Sequence, residues 1–208
     1  MADSPGMLTM DGFLAWQARQ DRLFEFVDGQ PVAMAGAKLR HDRITTNAIR
    51  TIGTLFRSSG NPCDVFSADI GVRTSPHRLR RPDATVLCPP FNEDATATDQ
   101  PRLVLEVLSE GTEKVDRLVK IGEYQGLASL DHILMVEPAS VEVGIWHRDA
   151  GGGWGSRVVR DLGALVDLPA LGIVLPVSAL YDRVTLDTAP GGPRLVWDGG
   201  PAPGATEG

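Results

Sequence analysis

The stretch PRLVLEVLSEGT, residues 101–112, reads as a buried strand with one charged residue inside it. Leu103, Val104, Leu105, Val107 and Leu108 form the short apolar run of a strand that sits inside a sheet. Glu106 stands in the middle of that run. Taking a carboxylate out of water costs several kcal/mol unless something charged meets it. The fold and the chemistry of the chain both turn on what meets Glu106.

A second acid is placed as oddly. Asp83 follows Pro82 and begins the apolar run ATVLC, 23 residues before Glu106. That separation suits two neighbouring strands joined by the polar loop PPFNEDATATDQP. If the strands pair, the two carboxylates converge on one side of the sheet. Two carboxylates held close repel, and one pKa rises unless a cation lies between them. Mg²⁺, a hard ion held by one or two carboxylates with water and substrate phosphate as its other ligands, suits such a pair. Taken singly, each acid has a plainer reading: Asp83 as a turn or cap, Glu106 as an edge residue or a partner of Arg81 or Arg117.

Outward from these strands the pattern alternates. A short amphipathic helix is expected over 8–20, with Phe13, Leu14 and Trp16 on its apolar side. A hairpin around Asp28-Gly29 is expected over 22–35. Ile44, Ala48, Ile52 and Leu55 give helical spacing over 41–60, with Gly60 as the stop. Strands are expected over 63–73 and 83–88, separated by a basic loop at 73–82, then at 103–108. A helix over 113–125 presents Val115, Leu118, Val119 and Gly122 as one face and Asp116, Lys120 and Tyr124, spaced by four, as another. Strands follow at 131–138, 141–148 and 151–159, then a mixed segment at 161–183. The order predicts an α/β (α+β) domain with a mixed central β-sheet flanked by helices, plus an N-terminal helix and hairpin. One domain is expected over 1–187, with a Gly/Pro-rich disordered tail at 188–208.

Composition narrows the function. The net charge of −7 gives no sign of the basic face that nucleic-acid binders carry, although a local patch remains compatible with it. The two cysteines, Cys63 and Cys88, stand alone without metal-ligand spacing, which suggests a reducing, cytoplasmic setting. No signal peptide or membrane span is expected. Neither a dinucleotide fingerprint nor a P-loop motif is present.

RRPDATVLC followed by LVLEVLSEGTEKVDRLVKIGEYQ resembles the bacterial Uma family, described as putative restriction endonucleases, within the PD-(D/E)XK nuclease superfamily. The resemblance runs from about Phe24 to Val184 and includes FEFVDGQPVAM, VFSADIGVR and LPALGIVLPVSALYD. It implies a restriction-endonuclease-like core that hydrolyses phosphodiester bonds in DNA with Mg²⁺ (or Mn²⁺). Carried over by position, Asp83 and Glu106 are the metal-binding acids. The superfamily's lysine normally lies two residues after the second acid, where this chain has Leu108. The family's pattern places it on the next helix, at Lys120, to assist water activation or charge stabilisation. Glu25 and His41 are auxiliary candidates, as an added metal ligand and as a phosphate or proton-transfer contact. Asp69 matches a family acid with a structural role, and Ser109 and Thr112 are candidate helix caps. The basic stretch Arg73 to Arg81 is either a phosphate contact or a solvated loop. The resemblance is compatible with a homodimer. The alternative to an enzyme is a catalytically inert nuclease-fold module that binds nucleic acid or protein; a further rival is an RNA-acting or other phosphoesterase using the same constellation.

Overall fold

The computed structural model describes residues 7–109 and 114–187, with the side chains of 114–116 excepted. Thr112, the side chain of Asp116 and the 188–208 tail lie outside the described residues. In chain order the elements are α1 (Met10–Gln17), β1 (Phe24–Val27), β2 (Gln30–Ala33), α2 (Leu39–Ser59), β3 (Asp64–Ser67), β4 (Gly71–Ser75), β5 (Arg78–Arg80), β6 (Ala84–Leu87), β7 (Ala97–Thr98), β8 (Leu103–Val107), α3 (Lys114–Gln125), β9 (His132–Glu137), β10 (Glu142–Arg148), β11 (Trp154–Val159), β12 (Leu165–Leu168), β13 (Ile173–Pro176) and α4 (Val177–Leu180).

The strands form two main sheets. The central six-stranded sheet has the order β11-β10-β9-β8-β6-β3 and is mixed, because β8 and β9 run parallel while its other neighbours are antiparallel. The parallel pair needs a crossover, and α3 supplies it. A second, five-stranded sheet has the order β2-β1-β5-β4-β7, and β12 and β13 form a separate hairpin.

Period-2 alternation sorts the side chains of β8 to two faces. Leu103, Leu105 and Val107 join a core with Ile44, Ala48, Ile52 and Phe56 of α2. Val104 and Leu108 join a second core with Ile121 and Tyr124 of α3 and Val72 of β4. The five-stranded sheet and α3 therefore share one face of the central sheet, and α2 covers the other. The apolar stripe of α2 is closed at its end by Gly60, whose φ of 70° makes it a left-handed cap. Asn47, buried on this helix, donates through Nδ2 to the carbonyls of Leu180 and Asp182 and ties the C-terminal helix down.

The first hairpin turns at Asp28 and Gly29, with φ of 49° and 84°, the two positive values that a tight hairpin turn of this hand requires. Phe26 of this hairpin stacks on Phe13 of α1 at 4.8 Å, and the pair forms a small third core with Leu79.

Three expectations need correction. The β-rich segment 63–73 is two strands, β3 and β4, which turn at Ser67–Ile70 and enter different sheets. The basic loop contains β5, in which Arg80 is buried and Arg78 half-buried, and Arg81 just after it is buried as well. The two cysteines form a disulfide: the β3–β6 register pairs Asp64 with Leu87, and Cys63 and Cys88 are the next residues out on those strands. Their 25-residue separation carried no sign of pairing, because only strand register brings them together. Among the described residues no helix is long and apolar enough to cross a membrane.

His132 begins β9 only 2% exposed, and neither ring nitrogen has a hydrogen-bond partner among the described residues. Burial pulls its pKa down to about 4, opposed by Asp131 and reinforced by His147 and Arg102. The unfolded chain takes up that proton near pH 6.5, so stability is lost as pH falls from about 6.5 towards 4. The loss amounts to at most about 3 kcal/mol. Denaturant titrations of wild type and His132→Phe across this window should show a loss in the wild type that is smaller in the variant.

Candidate active site

The β6–β8 register pairs Ala84 with Leu105, and one further step sets Asp83 opposite Glu106. The Glu106 side chain faces the α3 side of the central sheet. Asp83 is held by its own neighbour strand, since its Oδ2 accepts the Val107 backbone N–H at 2.7 Å. Pro82 removes one backbone donor just before Asp83, at the end of the strand.

Helix α3 then crosses this pair. The Tyr124 hydroxyl donates to Glu106 Oε1 at 2.6 Å. One turn earlier, Lys120 Nζ lies 3.6 Å from the same Glu106 oxygen and 3.2 Å from Glu25 Oε1. The Tyr124 side chain is fully buried, whereas Leu118 and Val119 are 46% and 41% exposed. The helix thus turns a different face inward from the one expected on apolar spacing. Hydrogen bonding to a buried carboxylate and the burial of Ile121 and Tyr124 outweigh two exposed aliphatic residues.

Glu25 reaches the site from the first hairpin. Its Oε2 accepts from Arg80 Nη1 at 2.9 Å, and its Oε1 also accepts the Arg81 backbone N–H at 3.2 Å. Arg80 in turn grips Glu123 of α3 with two parallel bonds, Nε and Nη2 each at 2.7 Å. Arg81 donates to the carbonyls of Phe24, Ala68 and Asp69, fastening the stretch before Asp83 to β1 and to the β3–β4 turn. Arg78 completes the network through Asp28 and Glu123. From the other side of the site, His41 Nε2 on the first turn of α2 lies 3.4 Å from Asp83 Oδ2.

The charge states follow from these contacts. Burial pushes the Glu106 carboxyl up to about 7; Lys120 pulls against this and the Asp83 charge adds to it. Burial would also raise Glu25, but Lys120, Arg80 and the Arg81 N–H overcome it and hold Glu25 ionised below its usual range. Burial works against the charged form of Lys120, yet Glu106 and Glu25 outweigh it, so the lysine is an ammonium. Burial likewise lowers His41, and Asp83 more than restores it.

The structure therefore brings Asp83, Glu106, Lys120, Glu25 and His41 into one cluster. Sequence reasoning left out Glu123, took Arg80 only as part of the basic stretch, and offered Arg81 as a partner of Glu106, whereas Arg81 meets Glu25 and backbone carbonyls instead. The signal of the two arginines was present, as the charged run RLRR lies directly before Pro82-Asp83, but beside a turn such a run looks solvated. Of the five basic residues between Arg73 and Arg81, three arginines are committed to internal contacts, which removes them as phosphate contacts.

The chain matches the family model Uma2, described as "Putative restriction endonuclease", over residues 10–178. The chain belongs to this family. Among curated relatives it is 29% identical over 180 residues to the uncharacterized protein slr1290 of Synechocystis sp., an alignment covering 84% of this chain and 91% of the relative. It is 25% identical over 135 residues to sll1609 of the same organism, covering 63% of this chain and 75% of that protein. Among solved structures it resembles one described as a putative nuclease belonging to DUF820 from Anabaena variabilis, with TM-score 0.68 at 15% identity, covering 86% of this chain and 99% of that one. That likeness shows the fold. Within a family described as putative restriction endonucleases, the Asp83–Glu106 cluster is the candidate site of this chain.

Because the folded pKa of Glu106 is raised, stability in the absence of divalent ions should fall as pH rises from about 4.5 through 7, and then level off. Glu106→Gln removes that titration. In EDTA the variant should melt higher than wild type at pH 8, by on the order of 2 kcal/mol, with the gap closing below pH 5. Thermal melts at the two pH values check this.

Proposed function

We propose that this chain is a metal-dependent endonuclease that hydrolyses phosphodiester bonds in DNA, with Asp83 and Glu106 holding Mg²⁺ or Mn²⁺ and Lys120 assisting. The observation that carries the reading is the register of β6 and β8, which sets two carboxylates face to face with an ammonium 3.6 Å from one of them.

The donor set fits a hard divalent ion. Mg²⁺ is held by one or two carboxylates, with water and phosphate oxygens completing its shell. Burial and the Asp83 charge resist ionisation of Glu106, and a cation between the two acids relieves both. When bound, the ion supplies an acidified water and polarises a phosphoryl oxygen.

The protein's own groups have separate tasks. Tyr124 orients Glu106 by donating to one oxygen, leaving the other for a ligand. Lys120, being an ammonium, stabilises the negative charge that develops on the phosphate rather than taking a proton from water. Glu25 has both oxygens engaged by Arg80, Arg81 and Lys120, so we assign it to orienting the lysine rather than to the metal. We assign His41, 3.4 Å from Asp83, to donating a proton to the leaving oxygen.

Cleavage of supercoiled plasmid in Mn²⁺ or Mg²⁺ at low salt tests the reading. Wild type should nick or linearise the plasmid, and Glu106→Gln and Lys120→Ala should each lose on the order of 10²-fold or more in rate. Activity that survives Lys120→Ala removes the lysine from the site. No cleavage of DNA or RNA by the wild type would favour the inert binding module.

A further inference from the structure

We propose that Arg80 is a positioning residue of this site: by occupying one oxygen of Glu25 it leaves the Lys120 ammonium shared between Glu25 and Glu106. The consequence for turnover rests on the nuclease reading above; the consequence for Lys120 rests on the geometry alone.

Arg80 is 4% exposed, and a buried guanidinium must be matched on every side. Its planar fork is matched by two acids from different elements. Nε and Nη2 meet the two oxygens of Glu123, and Nη1 meets Glu25 Oε2. Glu123 lies three residues after Lys120 on α3, so the same arginine grips the helix that carries the lysine and the carboxylate that receives it. Glu25 thus divides its charge: Oε2 goes to Arg80 and Oε1 to Lys120 at 3.2 Å. Lys120 keeps a second contact, at 3.6 Å, with Glu106. Without Arg80 Glu25 keeps only the Arg81 backbone N–H and Lys120 as partners, and its charge draws the lysine away from Glu106. A rigid bidentate fork suits this task in a way a lysine does not. The plainer reading is that Arg80 only fastens α3 to the hairpins.

The experiment uses the full chain and the variants Arg80→Ala, Arg80→Lys and Glu123→Gln. Two readouts are taken: the NMR order parameter of the Lys120 side chain at fixed pH, and kcat and KM for plasmid cleavage in Mn²⁺. Positioning predicts that Arg80→Ala changes the Lys120 order parameter and lowers kcat about tenfold or more, with KM within about twofold. Guanidinium ion added to Arg80→Ala should recover part of kcat, and Arg80→Lys should recover little. If Arg80→Ala does not fold, Glu123→Gln keeps the arginine but loosens its anchor, and should move both readouts in the same direction by less. An unchanged Lys120 order parameter, with activity lost only in proportion to thermal stability and no guanidinium rescue, overturns the proposal. A wild type that cleaves nothing overturns the nuclease reading instead, and the Lys120 readout still decides the role of Arg80.

Discussion

The centre of this molecule depends on holding one carboxylate, Glu106, inside a strand whose five residues are all buried. Nothing on β8 can compensate it, because its neighbours on that strand are aliphatic. The compensation comes from other elements. Tyr124 donates to it from α3, Lys120 on the same helix brings a positive charge, and Glu25 holds that lysine from the first hairpin, while Asp83 across the sheet adds to the charge to be met. Each of these groups needs its own partner, which spreads the requirement outward to Arg80, Arg81 and Glu123.

That outward chain of pairing gives the five-stranded sheet its place. Its apolar contribution to the face shared with α3 is modest, with Val72 the member buried among Val104, Ile121 and Tyr124. Its polar contribution is larger: β1 delivers Glu25 and β5 delivers Arg80. The β1–β5 register pairs Phe26 with Leu79, and this apolar pair packs on Phe13 of α1 and seals the outer side of the network from water. Such a network is strong only while complete, since removing one member of a buried ion pair leaves the other charge uncompensated. Helix α2 contributes from the opposite face, where its apolar stripe packs on the sheet and its first turn extends past the strand ends to place His41 at Asp83.

Much of this was legible in the chain. The Asp83–Glu106 pairing followed from two apolar runs, a polar loop of ordinary length and the cost of a charge in a strand. The Asp28-Gly29 hairpin and the long helix α2 were legible from turn chemistry and helical spacing. Lys120 was not legible from spacing alone, because on its helix Leu118 and Val119 outweigh it in hydropathy; the family resemblance pointed to it. Arg80 and Arg81 were misread because a run of charge beside Pro82 resembles a solvated loop, and a three-residue strand such as β5 has too short a period to contradict that. The pairing of Cys63 with Cys88 depends on β3 lying at the sheet edge beside β6, a fact of topology that neither residue announces.

Mn²⁺ titration, followed by calorimetry and by electron paramagnetic resonance, asks whether Asp83 and Glu106 together bind one hard divalent ion. The wild type should bind one Mn²⁺ per chain, and both Asp83→Asn and Glu106→Gln should lose it while each variant keeps its fold. A folded wild type that binds no Mn²⁺, or variants that both bind it as well as the wild type, would contradict a shared site.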